Sequence, residues 1–221
     1  METLASGLWR SAKEGLFCSM KNKTVTMQLP EGNFVTTVTA FDESDVSAIN
    51  AIYDSWRDLC AYLGVLDSRA ANLPEELYLP EDLSEISFAL AKDVWRNKKG
   101  IPGVNSSFNF YDPYSERNNN RIQVKTCCIR PDLTSFDPNS QWDRIFFVDF
   151  YREGKWDGTF DIYELNTDEI NNFKVNAGRT LIDQQRQGRS PRFSIHNSLI
   201  QKGRYRSKET FLIIDKGIIK L

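Results

Sequence analysis

Histidine is almost missing from this chain: His196 is the one imidazole in 221 residues. That scarcity argues against a zinc centre and against catalysis built on several histidines. Cysteine is sparse too. Cys18, Cys60, Cys127 and Cys128 include no CxxC pair, and the vicinal Cys127-Cys128 is poorly placed for an ordinary disulfide. They read as reduced, mostly buried thiols of a cytoplasmic protein. No apolar run approaches the length of a membrane span. The first ten residues, Met-Glu-Thr-Leu-Ala-Ser-Gly-Leu-Trp-Arg, lack the basic start and apolar core of a secretory leader. Nothing points to a membrane or to a small-molecule cofactor.

What is present describes a globular chain of one domain, with 40% hydrophobic and 26% charged residues. The net charge of -2 conceals a segregation. Residues 174–221 hold 11 basic side chains against three acids, a local +8, so residues 1–173 carry -10. A basic segment of this kind suits a polyanion, although acidic neighbours in space can balance the same charge.

Along the chain, Leu4, Leu8 and Trp9 can line a short helix. Residues 24–29 and 34–41 alternate around Pro30-Glu31-Gly32-Asn33 and predict a hairpin; residues 1–41 are expected to form this arm. Val46, Ile49, Ile52, Tyr53, Trp56, Leu59, Cys60 and Leu63 recur at helical spacing over 42–63, capped by Asp42 or Ser44. That stripe is a core face or a dimer surface. A loop spans 67–80. A second helix is predicted over 81–96, with Ser84 as a cap and an acidic first turn. Lys98 and Lys99 precede the next strand. Strands are expected at 107–112, 121–129, 144–151 and 158–165, and a partly helical stretch at 167–187 capped by Thr167 or Asp168. Residues 211–221 read as a closing strand or hairpin.

The chemistry gathers at 108–129. Asp112 ends one apolar run, and Gln123 and Lys125 lie inside the next. Residues two apart on a strand share a face, so Gln123 and Lys125 point together while Ile122, Val124 and Thr126 face a core. An Asn-rich turn at 117–120 is expected to fold Asp112 back beside them. A carboxylate, an amide oxygen and an ammonium would then meet. Oxygen donors suit a hard cation such as Mg2+, and an ammonium can offset developing charge or orient water. Those groups can support metal-assisted phosphodiester hydrolysis. Asp149 and Asp161 are rival ligands.

Asp112-Pro113 followed by Gln123-Val124-Lys125 resembles the PD-(D/E)XK nuclease motif, with the first dipeptide reversed and glutamine in place of the second acid. Two more stretches extend the likeness from roughly residue 42 to 200. They are Asp132-Leu133-Thr134-Ser135-Phe136-Asp137-Pro138 with Trp142-Asp143, and Gln187-Gly188-Arg189-Ser190-Pro191-Arg192-Phe193-Ser194-Ile195. Together they resemble small type II restriction endonucleases, in particular the group that cuts GCNGC-type sites. The resemblance implies an α/β (α+β) restriction-endonuclease core, a mixed central sheet flanked by helices. It also implies a Mg2+-dependent double-strand cleavage of DNA by a homodimer.

In that frame Asp112, Gln123 and the Val124 carbonyl would bind the ion and Lys125 would serve the attacking water. Glu85 would add a helix-borne acid. The basic segment 174–221 would read DNA through Arg186, Gln187, Arg189 and Arg192, with Ser135 and Arg204 on the backbone. A non-catalytic DNA-binding regulator and a repair or nicking nuclease of the same fold remain alternatives.

Overall fold

The computed structural model describes residues 21–67, 81–97, 101, 104, 107–115, 120–128, 131–155, 157–215 and 217–221. The helix expected around Leu8, the loop at 67–80, Lys98, Lys99 and most of the turn at 117–120 lie outside them.

The described residues form thirteen strands. In chain order they are β1 (Lys21–Leu29), β2 (Gly32–Ala40), β3 (Trp95–Asn97), β4 (Phe110–Tyr111), β5 (Arg121–Cys127), β6 (Thr134–Ser135), β7 (Arg144–Asp149) and β8 (Thr159–Leu165), then β9 (Lys174–Asn176), β10 (Arg179–Thr180), β11 (Arg192–Phe193), β12 (Ser207–Ile214) and β13 (Gly217–Lys220). The helices are α1 (Glu43–Asp67), α2 (Glu81–Lys92), α3 (Thr167–Asn171), α4 (Leu181–Gln185) and α5 (Ile195–Ser198).

Nine strands form one sheet in the order β1-β2-β3-β4-β5-β7-β8-β12-β13. Within it only β5 and β7 run parallel; every other neighbouring pair is antiparallel. The expected α+β class with a mixed central sheet is therefore what the chain adopts. The hairpin at the N-terminal side belongs to the sheet itself, because β2 pairs with β3 through Val38–Asn97 and Thr39–Arg96.

The sheet divides two cores. On one side α1 and α2 bring Ile49, Tyr53, Trp56 and Phe88 against Phe110, Ile122, Val124, Phe146 and Val148. On the other, Ile145, Phe147 and Cys127 meet Phe136, Trp142, Phe193 and residues of the three short helices, Ile170, Leu181 and Ile195. Phe88 is fully buried between Phe110 and Phe146, with ring centroids 5.5 and 5.1 Å away. The α1 stripe thus serves mainly the core, while Ile52, Leu59 and Tyr62 stay exposed on the same helix.

The cap of the first helix is as expected, and several other boundaries differ. Asp42 caps α1, accepting from the Ser44 N–H at 3.0 Å, and the Asp45 carboxylate returns a bond to the Asp42 N–H at 2.8 Å. Helix α2 stops at Lys92, because Asp93 turns left-handed with φ 50° and Trp95 then pairs with Tyr111 in β3. Ser84 lies buried inside that helix, away from its cap. The 167–187 stretch breaks into α3, the β9–β10 hairpin and α4, and Asn166 caps α3 in place of Thr167 or Asp168. Gly178, at φ 105°, makes that interrupting turn possible.

Truncating Phe88 to alanine should cost about 3–5 kcal/mol, since the ring is enclosed by both a helix and two strands. Urea denaturation of the variant checks this; a loss below about 1 kcal/mol would mean the helix layer does not carry the sheet.

Candidate active site

The position of each charged side chain follows from strand pairing. Phe110 faces Ile122, Tyr111 faces Arg121, and the Asp112 N–H donates to the Asn120 carbonyl at 3.0 Å. Residues directly opposite in an antiparallel pair share a face. Asp112 therefore lies on the α2 side with Phe110, Ile122 and Val124. Its Oδ1 accepts from the Tyr114 N–H at 2.9 Å and its Oδ2 from Arg144 Nη1 at 3.2 Å. Arg144 also donates Nε and Nη2 to Glu164 Oε1 and Oε2, at 3.1 and 3.3 Å. The Arg144 guanidinium stands 4.9 Å above the Phe146 ring. The Lys92 ammonium lies 5.8 Å from the same ring and forms an ion pair with Glu209. Burial, and then the nearby Arg144 charge, push the Lys92 pKa below the ordinary lysine value against the pull of Glu164.

Gln123 and Lys125 point the other way. Lys125 pairs with Phe147 across the parallel ladder, and its ammonium sits 5.3 Å over Phe136, a ring of the opposite core. The expected meeting of Asp112 with Gln123 and Lys125 at one point does not occur: the sheet stands between the carboxylate and the ammonium. The reason is parity. Asp112 falls an even number of residues after Phe110, and Gln123 an odd number after Ile122, its partner. Gln123 is buried at 4% exposure, and its Oε1 has no hydrogen-bond partner. Val124 belongs to the helix-side core and donates its N–H to Asn109 Oδ1 at 2.9 Å. Glu85, also 4% exposed, accepts from Asn109 Nδ2 at 3.1 Å and pairs with Arg96 at 2.7 Å. It is tied to these partners rather than joined to Asp112.

The rival acids face each other across β7 and β8, both buried. Asp149 Oδ1 accepts the Tyr151 and Arg152 N–H groups, closing the turn after β7. Asp161 accepts from Thr210 Oγ1 at 2.6 Å, Arg152 Nε at 3.3 Å and Lys208 Nζ at 3.0 Å. Among the described residues, no group of three or more His, Cys, Asp or Glu is arranged to hold a metal ion.

The basic segment gathers on the Lys125 side. Strand β11 pairs Arg192 with Ser135 and Phe193 with Thr134, and the Phe136 N–H donates to the Pro191 carbonyl at 3.0 Å. Buried Asp132 fastens this junction. Its oxygens accept from Ser194 Oγ and from the Ile195 and His196 N–H groups, at 2.8 and 3.3 Å for the two backbone donors. The two stretches on which the sequence likeness rests are thus in contact. Arg186, Gln187, Arg189 and Arg192 are exposed, with Gly188 turning the chain at φ 70° after α4. Arg186 and Gln185 line a cavity of about 430 Å³ with Arg121, Ser140, Gln141 and Trp142. Arg121 is clamped by Asp143 through Nε and Nη2, at 3.1 and 2.9 Å, and reaches Glu31 at 3.0 Å. Arg204 lies apart and is paired with Glu169 at 2.6 Å.

Sequence reasoning missed Arg144, Glu164, Lys92 and Arg121. No fixed spacing marks them: Arg144, Glu164 and Lys92 come from different elements and gather on the helix side, while Arg121 lies on the other face.

The family model described as Bsp6I restriction endonuclease matches residues 41–202. The type II restriction enzyme Bsp6I of Bacillus sp. (strain RFL6) is 36% identical over 172 residues, covering 76% of this chain and 88% of that protein. No solved structure matches the chain.

Changing Asp132 to alanine should lower stability by about 3 kcal/mol, by removing charged hydrogen bonds from buried donors. Limited proteolysis should then cut within 187–199 faster than in the wild type; an unchanged pattern would detach the basic segment's order from Asp132.

Proposed function

This chain belongs to the Bsp6I restriction endonuclease family and is a type II site-specific deoxyribonuclease; we propose that its hydrolytic centre is built on Asp112 and works with Mg2+. The observation carrying this reading is the Asp112 carboxylate just past the end of β4, its side chain 16% exposed and held by the Arg144 guanidinium. A carboxylate partly open to solvent is the kind of donor a hard divalent ion takes together with phosphate and water; the ion would compete with Arg144 for it.

When bound, such an ion lowers the pKa of its water and offsets charge on the phosphorane. The chain's own residues do the rest. Asp112 supplies the anchoring oxygen. Arg144 holds Asp112 in place, and its planar fork of donors also suits a phosphate oxygen. Arg186, Gln187, Arg189 and Arg192 face solvent and can pair with base edges or phosphates, with Ser135 beside Arg192 donating to the backbone. Arg204 contributes less, because Glu169 offsets its charge.

The substrate is double-stranded DNA. A short GC-rich palindromic or interrupted palindromic site, GCNGC-type, follows from the sequence likeness. Cutting both strands of a symmetric site calls for two centres related by a two-fold axis, hence a homodimer. Residues 41–202 form the family region, flanked by the hairpin and the end of the basic segment. The few cysteines, with no CxxC pair, favour the cytoplasm, and no helix among the described residues is long and apolar enough to cross a membrane.

Incubated with a supercoiled plasmid, the protein should give discrete fragments in Mg2+ and none in chelator. Asp112→Asn should slow cutting by about a hundredfold or more while leaving specific binding in Ca2+ nearly intact; full activity would remove Asp112 from the centre. A nicked circle as sole product would replace double-strand cleavage by nicking. Arg189→Ala should weaken specific binding more than nonspecific binding in a competition assay; an equal loss on all DNA would make Arg189 a phosphate clamp.

A further inference from the structure

We propose that the cavity between α4 and the segment leading into β7 takes one nucleobase extruded from the bound duplex. The proposal rests on the DNA substrate given above and is independent of Asp112.

The walls of the cavity are fastened. Gln185, at the end of α4, donates its Nε2 to the Asp137 carbonyl at 2.8 Å, tying the helix to the segment opposite. Trp142 packs on Phe136 with ring centroids 5.9 Å apart. Arg121 is held by Asp143 and Glu31. The enclosed volume of about 430 Å³ falls in the range of roughly 300–1,000 Å³ usual for small-molecule sites. Arg186 lines the cavity and opens the exposed basic stretch 186–190, so a duplex held by that stretch lies beside it.

Charge selects the ligand. The Arg121 guanidinium meets two carboxylates, which leaves that corner net negative, and Arg186 only restores the balance. A phosphate draws on a surplus of positive charge, and this cavity has none. Ser140, Gln141 and Asn171 add neutral side chains that both donate and accept hydrogen bonds. A phosphate diester only accepts, whereas a base edge carries acceptors and donors side by side.

Trp142 gives a second sign. It lines the cavity, is 8% exposed, and its indole Nε1 has no hydrogen-bond partner. An indole N–H can only donate, and a buried donor left unpaired is costly. Each nucleobase carries a ring nitrogen or carbonyl oxygen that can accept from it. A base reaches such a pocket by swinging out of its stack, which costs less where its pairing is already broken.

The test uses the full chain, in Ca2+, on duplexes carrying the cleavage site mapped from plasmid fragments. Mismatches are placed at one position at a time. At the extruded nucleotide a mismatch should tighten binding about tenfold; a scan in which none tightens overturns the pocket. Trp142→Phe keeps a ring on Phe136 and lacks the N–H. It should bind the intact site several-fold more weakly than the wild type, yet equal the wild type when that one nucleotide is abasic. A loss of the same size on both duplexes would make Trp142 merely structural and overturn the pocket, and so would no loss on either. Should Trp142→Phe melt well below the wild type, Gln141→Leu takes its place in the same comparison. Wild-type protein that binds no duplex specifically would remove the DNA reading itself.

Discussion

The parallel ladder of β5 on β7 is the constraint from which the rest of the molecule follows. It sets Val124 beside Phe146 and Lys125 beside Phe147. Phe146 and Phe147 are both fully enclosed, one in each core. A slip of one residue would exchange the two faces along the whole strand, driving Lys125 among the helix-side aromatics. Burial of two large rings on alternate sides therefore fixes the register, and with it the side on which each polar residue of the motif emerges. The two halves of the sequence motif were separated by packing, before any demand of chemistry.

The same alternation explains how charge crosses the sheet. Asp143 and Arg144 are consecutive and point to opposite faces. Asp143 clamps Arg121 on the recognition side, and Arg144 gathers Asp112 and Glu164 on the helix side. Half-buried guanidinium groups are costly to desolvate unless most of their donors are used, and each arginine meets carboxylates through several nitrogens. Such networks fix geometry more than they add stability.

Much of the scaffold was readable from pattern. Val46, Ile49, Tyr53 and Trp56 announced α1, and the Pro30-Glu31 turn announced the first hairpin, because those signals are local. The likeness of Asp132–Ser135 and Gln187–Ile195 to restriction endonucleases marked the family, and the fold presses these stretches together. The motif misled on the site because spacing along one strand and its hairpin partner cannot tell parity across the turn. Asp112 follows Phe110 by two residues, and whether it meets Gln123 or Ile122 depends on the pairing of Phe110 with Ile122, which composition does not encode. Arg144, which meets Asp112, and Glu164, which meets Arg144, carried no local mark at all. Helix α2 was overextended for a related reason: Val94 and Trp95 suit a helical stripe, but Trp95 finds a better partner in Tyr111.

One connection joins recognition to the proposed centre. Between β5 and β7 the chain carries Asp132, which fastens Ser194 and Ile195, then Ser135, paired with Arg192. Phe136 follows, in contact with both Lys125 and Phe193, and then Trp142 and Asp143. The next residue is Arg144. The segment that supports the exposed basic stretch is thus the segment that sets where β7 begins. Asp143 ties its end back to the Arg121 N–H at 3.0 Å, so displacement there cannot be absorbed by a slack loop. The basic segment is thereby joined, through hydrogen bonds and stacked rings, to the strand whose Arg144 meets Asp112 and Glu164.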